Sequence, residues 1–211
     1  MFKRFALIAA AASALLVATA CSAQTPAAPY TEGTQYVKIA SPVRAGKDGK
    51  VEVVEVFSYG CIHCAHYEAD AEQLQKDLPK GVVFRAIPAA FNEAWVPYAR
   101  AYYAARKLGV LPQTHMALFK AIHVDHYPIH SPDELADFYA RQGVDRAKFV
   151  AAYNSDETTQ QMAADMKLIQ AWQVDGTPTL VVNGKYRTAS VETYKQMDDM
   201  VIWLAKRELG Q

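Results

Sequence analysis

The sequence predicts an α/β fold in which a βαβ unit and a later β-hairpin are separated by a long helical insertion. Three observations carry this. The apolar run Val51 to Phe57 leads into a helix-like run, Ala65 to Leu78, and then through Pro79-Lys80-Gly81 into a second apolar run, Val82 to Ile87. From Asn92 to Trp172 the periodicity is helical throughout. Strand signals return only at Thr179-Leu180-Val181-Val182, followed directly by Asn183-Gly184, the pair preferred in two-residue hairpins.

Residues 1–23 read as a secretory signal: Lys3 and Arg4, the apolar stretch Phe5 to Val17, then Ala18-Thr19-Ala20 before Cys21. The apolar stretch falls short of the roughly 20 residues a membrane-spanning helix needs, which favours export and cleavage over anchoring. Cys21 leaves two outcomes open. It is a lipid-accepting cysteine at the head of a loose tether, residues 24–35, or it is lost or left free by ordinary cleavage after Ala20 or Ala23. Ala18 stands where a lipoprotein signal usually has leucine.

Tyr36 to Ile39 is a short strand, and Ala45 to Lys50 is a turn-rich connection. Val51 to Phe57 is apolar on both faces except at Glu52 and Glu55, as suits a central strand covered by helices; Glu52 is expected to be solvated. The next strand completes a right-handed βαβ crossover. In the insertion, Ala94, Trp95, Tyr98, Ala99, Tyr102 and Tyr103 recur on one helical face that ends at Gly109, with Pro112 beyond. Further helices run from Thr114 to Ile122, from the capping box Ser131-Pro132-Asp133-Glu134, from Asp145 to Tyr153 and from Asp156 to Trp172. After the hairpin, Lys185 to Arg187 forms its second arm, and Ser190 caps a last helix to Leu209. The expected division is 1–23 signal, 24–35 tether, 36–91 first half of the α/β unit, 92–173 inserted helical domain and 174–211 second half.

With 22 basic and 22 acidic residues the chain has no electrostatic footprint for nucleic acid or an anionic membrane surface. If Cys21 is spent on processing, Cys61 and Cys64 are the remaining cysteines, so no disulfide framework holds the domain. Cys61-Ile62-His63-Cys64 sits at a strand-to-helix junction, where unpaired amide N–H groups and the helix dipole favour a thiolate over a thiol. A redox dithiol is the reading this supports. A zinc site would need two more ligands, and Ala65 excludes a c-type haem site. No cofactor is expected.

His63 is placed to stabilise the Cys61 thiolate by charge and a hydrogen bond. Glu55, six residues before Cys61, would lie beneath the site and take a proton from the shielded Cys64, burial raising its pKa toward that task. In Gly176-Thr177-Pro178 the proline precedes an apolar strand, and its peptide bond is expected to be cis on the strength of the redox motif upstream.

These motifs together resemble the thiol:disulfide interchange (DsbA) family, a thioredoxin fold with an inserted all-helical domain. The residues that carry the resemblance are Glu55-Val56-Phe57-Ser58 before Cys61-Ile62-His63-Cys64, then Ala94-Trp95, Gly176-Thr177-Pro178 and Val182-Asn183-Gly184-Lys185-Tyr186. It covers about residues 36 to 208. Ile62 stands where the family usually has proline, and Thr177 replaces the valine of the best-known members. DsbA is a standard example of a very acidic C-x-x-C cysteine, so a low Cys61 pKa is what the resemblance implies.

The resemblance further implies a periplasmic, monomeric disulfide oxidase. It would donate the Cys61–Cys64 disulfide to newly exported proteins with free thiols, through a mixed disulfide on Cys61. Thr177, Pro178 and Ile62 would meet the substrate, and a DsbB-like membrane quinone reductase would reoxidise the dithiol. The alternatives are a reductase or isomerase of the same fold, or a non-catalytic peptide-binding chaperone lipoprotein whose C-x-x-C is structural.

Overall fold

A computed structural model describes residues 28–129 and 131–211. The expected signal segment and Cys21 lie outside the described residues. Among the described residues five strands and seven α-helices follow in order: β1 (Tyr36–Lys38), β2 (Val51–Phe57), α1 (Ile62–Asp77), β3 (Val82–Pro88), α2 (Val96–Lys107) and α3 (Leu111–His123). Then come α4 (Pro132–Arg141), α5 (Arg146–Tyr153), α6 (Asp156–Ala171), β4 (Thr179–Val182), β5 (Tyr186–Thr188) and α7 (Tyr194–Glu208).

The sheet order is β1-β5-β4-β2-β3. β2 and β3 run parallel, joined by α1, while β4 is antiparallel to β2 and to β5. β2 is therefore interior, with Glu55 opposite Ala86 on one side and Leu180 on the other. Its alternation explains the near-continuous apolar run. Val53 packs with Leu74 of α1 and Met200 and Leu204 of α7, and Val54 and Val56 pack on the other face against Ile169 and Trp172. Phe57 enters a third core built mostly from α2 to α5, which also contains Tyr59, Cys61 and Cys64. The helical segment and the active-site loop thus share one core.

Asn183 and Gly184 both have positive φ, 51° and 64°, in the turn that Lys185 N closes on Val182 O; because Val182 lies opposite Tyr186, the loop is three residues, 183–185, one longer than the two-residue hairpin expected. A Cβ on Gly184 would also strike the Val43 carbonyl, so the position is closed to other residues on two grounds.

Several expectations are corrected. Glu52 is not solvated: it is fully buried, accepting from the amides of Ala45 (2.6 Å) and Gly46 (2.7 Å) and pairing with Arg85 at 3.4 Å. The strand pattern gave its position but not the loop that folds over it. The last helix starts at Tyr194, capped by Thr193, whose hydroxyl accepts from Gln196 N. Ser190 is unsuited to that role because its amide bonds to Thr34 O, extending the sheet edge. α3 begins three residues earlier than expected, at Leu111, because Pro112 lies in its first turn, where a missing N–H costs nothing. The insertion opens on a single 3-10 turn, Glu93–Trp95, capped by Asn92, rather than on regular α-helix. Within the stretch expected as a tether, the Tyr30 ring lies 5.6 Å from that of Trp203, while residues 31–34 are exposed.

Candidate active site

Cys61 is the N-cap of α1, in extended conformation, and its carbonyl accepts the first helical bond from Ala65 N at 3.1 Å. The turn before it is held by Ser58, whose carbonyl accepts from Cys61 N and whose hydroxyl accepts from Gly60 N. Gly60 is a glycine for lack of room: a Cβ would lie 2.7 Å from the Trp95 indole nitrogen. The helical segment is thereby seated on the active-site turn. His123 Nε2 reaches the Tyr59 carbonyl at 2.7 Å and strengthens the same join.

The two thiols are unbonded, and both are buried, Cys61 at 8% and Cys64 at 0% exposure. The order expected from sequence is kept, with Cys61 the more accessible. The Cys61 pKa is lowered to about 5, first by a hydrogen bond from Cys64, against the opposing effect of burial, and then by Thr177 and the backbone N–H groups of Cys64 and His63. Cys64 moves the other way, because it donates to Cys61 and is buried, so it holds its proton far above the usual thiol range. One sulfur is a ready leaving group, and the other is a thiol that must be deprotonated to react.

Thr177 and Pro178 stand across from the sulfurs, joined by a cis peptide bond. In the thiol form Cys61 Sγ donates to Thr177 O at 3.3 Å. Thr177 Oγ1 is buried without a hydrogen-bond partner, which leaves that hydroxyl free to turn toward a sulfur anion. Ile62 is exposed on the rim at 42%. The His63 side chain is also exposed, and its backbone carbonyl accepts from Tyr194 OH at 3.1 Å, tying α7 to the first turn of α1. Sequence reasoning gave His63 its role through the imidazole, whereas the group set against the sulfur here is its backbone N–H.

Glu55 is 1% exposed, and its Oε1 has no hydrogen-bond partner. Burial, and then the charge of Glu68, push its pKa well above the ordinary carboxylate value. It lines a groove of about 530 Å³ between α1, β3 and the helices α2, α3 and α6, together with Glu68, Arg85, Tyr102, Arg106 and His115. Glu68 and His115 were not found from sequence. The available signal was the spacing Cys61, Cys64, Glu68, which puts Glu68 one turn further along the same helical face. Nothing in the sequence ties it to a residue 47 positions later, at His115.

Residues 80–200 match the DSBA-like thioredoxin domain. A thiol:disulfide interchange protein DsbA from Pseudomonas aeruginosa is 44% identical over 158 residues, 75% of each chain. The chain belongs to the DsbA family. The DsbA of Azotobacter vinelandii is 41% identical over 155 residues, 74% of this chain and 72% of that one. A crystal structure of P. aeruginosa DsbA superposes with a TM-score of 0.82 at 39% identity, covering 86% of this chain and 95% of the other. This DsbA-family chain is therefore a disulfide oxidoreductase with the thioredoxin-like fold. Of the expected site residues, Cys61, Cys64, Thr177 and Pro178 come together at the N-terminus of α1, His63 and Ile62 are exposed in its first turn, and Glu55 is buried in β2 and lines the groove described above.

Proposed function

We propose that this oxidoreductase works as a periplasmic, monomeric disulfide donor. The observation that carries the reading is the asymmetry of the pair, with Cys61 lowered to about 5 and Cys64 raised. A substrate thiolate attacks Cys61 Sγ, a sulfur–sulfur bond to substrate forms, and the Cys61–Cys64 bond breaks. Cys64 leaves and takes up a proton, for which Glu55 is the donor. A second substrate thiolate then attacks the substrate sulfur and releases Cys61 as a thiolate. The substrate is oxidised by two electrons and the enzyme reduced by two. Because Cys61 leaves without needing a proton at neutral pH, equilibrium favours oxidised substrate. Two pH units between its pKa and neutrality correspond to at most roughly 60 mV toward stronger oxidant, less what solvent screens.

Thr177 and Pro178 offer the substrate an extended docking edge beside Cys61, and Ile62 an apolar contact on the rim. The exposed His63 imidazole would meet the incoming thiolate and favour its charge. In reoxidation by a DsbB-like membrane quinone reductase, Cys64 returns its proton to Glu55 and attacks the mixed disulfide. Residues 92–173 act as the helical cover of the site, and the N-terminal segment carries the chain across the membrane, with Cys21 a candidate point of lipidation. A redox titration against glutathione tests the reading. Stable reduced enzyme over a wide range of buffers is expected, and an equilibrium favouring oxidised enzyme would instead make it a reductase or isomerase. A Cys61→Ser variant is expected to fail in a periplasm lacking its own oxidase. Full complementation would leave the C-x-x-C with a structural role only.

A further inference from the structure

Glu55 of β2 and Glu68 of α1 face the same groove, and each has one buried oxygen, Oε1 and Oε2 respectively, without a hydrogen-bond partner. Of the neighbouring charges, that of Glu68 acts most strongly on Glu55. Like charges in such a site oppose one another, so a proton on one of the two carboxyls is favoured. Which of them holds it is decided by whatever donates to the other.

That donor is His115 of α3. Its Nε2 lies 3.1 Å from Glu68 Oε1, and its Nδ1 lies 2.5 Å from Tyr59 OH. Tyr59 is buried and keeps its proton, and with the phenol donating to Nδ1 the ring offers its Nε2–H to Glu68 as donor. The ring is set edge-on among Phe57, Tyr59 and Phe119, with centroids 5.2, 5.2 and 5.4 Å away. The other ionisable groups of the groove are Glu72, Asp165, Arg85, Arg106 and Tyr102. Three of these are engaged elsewhere. Arg85 pairs with Glu52 and Asp48, Asp165 accepts from Tyr103 and Gln161, and Arg106 lies over the rings of Tyr102 and Tyr103. Tyr102 donates to Ala86 O. Among the described residues, His115 alone makes an ion pair or hydrogen bond to the Glu68 side chain.

We propose that His115 is a positioning residue for thiol exchange: by holding a donor against Glu68 it leaves the shared proton on Glu55, the carboxyl that serves Cys64. The inference rests on the role given to Glu55 above. In the oxidised enzyme Glu55 carries the proton and passes it to the Cys64 sulfur as the disulfide breaks. Reoxidation returns it, so one proton shuttles between the two groups. A residue of the helical segment thereby sets the protonation of a strand residue in the other half of the molecule.

The test is a carbon-13 carboxyl titration of Glu55 in the full-length oxidised protein, with the pH profile of oxidation of a synthetic two-cysteine peptide measured alongside. The wild type is expected to give a single Glu55 titration step raised from the ordinary carboxylate range, and a two-step titration overturns the proposal whatever the variants do. His115→Phe keeps the aromatic packing and loses the donor. It is expected to give a two-step Glu55 titration, a broadened pH profile and an exchange rate about twofold lower at pH 7, as a proton shared equally between two sites predicts. His115→Gln keeps a donor and is expected to restore the single step. Wild-type behaviour in His115→Phe, or equal damage in His115→Gln, overturns the inference. Glu55→Gln separates the two claims. If it slows exchange while His115→Phe does not, His115 alone is excluded; if it exchanges at the wild-type rate, the role given to Glu55 falls and takes that of His115 with it.

Discussion

The largest single effect on Cys61 is its hydrogen bond from Cys64, three residues away, rather than any charged side chain. Cys64→Ala is therefore expected to raise the Cys61 pKa by at least about one pH unit, read from the ultraviolet absorbance of the thiolate. An unchanged midpoint would mean that the helix terminus and backbone N–H groups hold the charge alone. The same asymmetry fixes the pH dependence of the redox potential. With Glu55 supplying the proton that Cys64 takes up, reduction above pH 5 draws none from solvent and below it one, at Cys61, so the slope is expected to steepen from near zero to about 30 mV per pH unit. A constant slope from pH 4 to 7 would contradict the assignment. Glu52 makes a third case at this scale. Glu52→Ala strands the Ala45 and Gly46 amides and the Arg85 guanidinium, and should cost about 3 kcal/mol in urea unfolding.

At the scale of elements, the turn and cap chemistry makes two predictions. Gly184→Ala forces a side chain into positive φ and against the Val43 carbonyl, and is expected to cost about 2 kcal/mol or more. Thr193→Ala removes the cap of α7 and should cost about 1 kcal/mol, whereas Ser190→Ala should change stability by less than about 0.5 kcal/mol. Equal effects of the two would restore the helix start read from sequence. These elements also mark the limit of local reading. Asn183-Gly184 is legible because its φ requirement is local. The start of α7 is not, because Ser190 is a good capping residue by type, and only the pairing of residues 189 and 190 with Gln35 and Thr34 takes it out of use. Helix and strand identities along the chain were legible from periodicity for the same reason as the turn.

For the whole molecule, thiolate chemistry is coupled to stability. In the reduced protein Cys61 has a folded pKa of about 5, below its unfolded value, so the stabilisation is full above the unfolded pKa and is lost as pH falls through about 5. The oxidised protein has no such group. The unfolding free energy of the reduced form, minus that of the oxidised form, is expected to rise between pH 5 and 8 by about 1 kcal/mol per unit, after discounting for solvent. Parallel pH profiles for the two forms would contradict this. The whole molecule also has to place the helical segment on the active-site loop, through Trp95 against Gly60, His123 on the Tyr59 carbonyl and His115 between Tyr59 and Glu68.

Sequence alone determined the α/β order, the interior strand, the hairpin, the reactive cysteine pair and the family resemblance, because each rests on residues close along the chain. Tertiary structure decided which groups meet across long separations. It set Cys61 against Thr177, 116 positions away, buried Glu52 under its own loop and placed His115 on Glu68. Residue type states what a side chain can donate, accept or ionise. Only packing fixes which partner is within about 3 Å and whether water is excluded, and those two conditions set the charge of every group in this site.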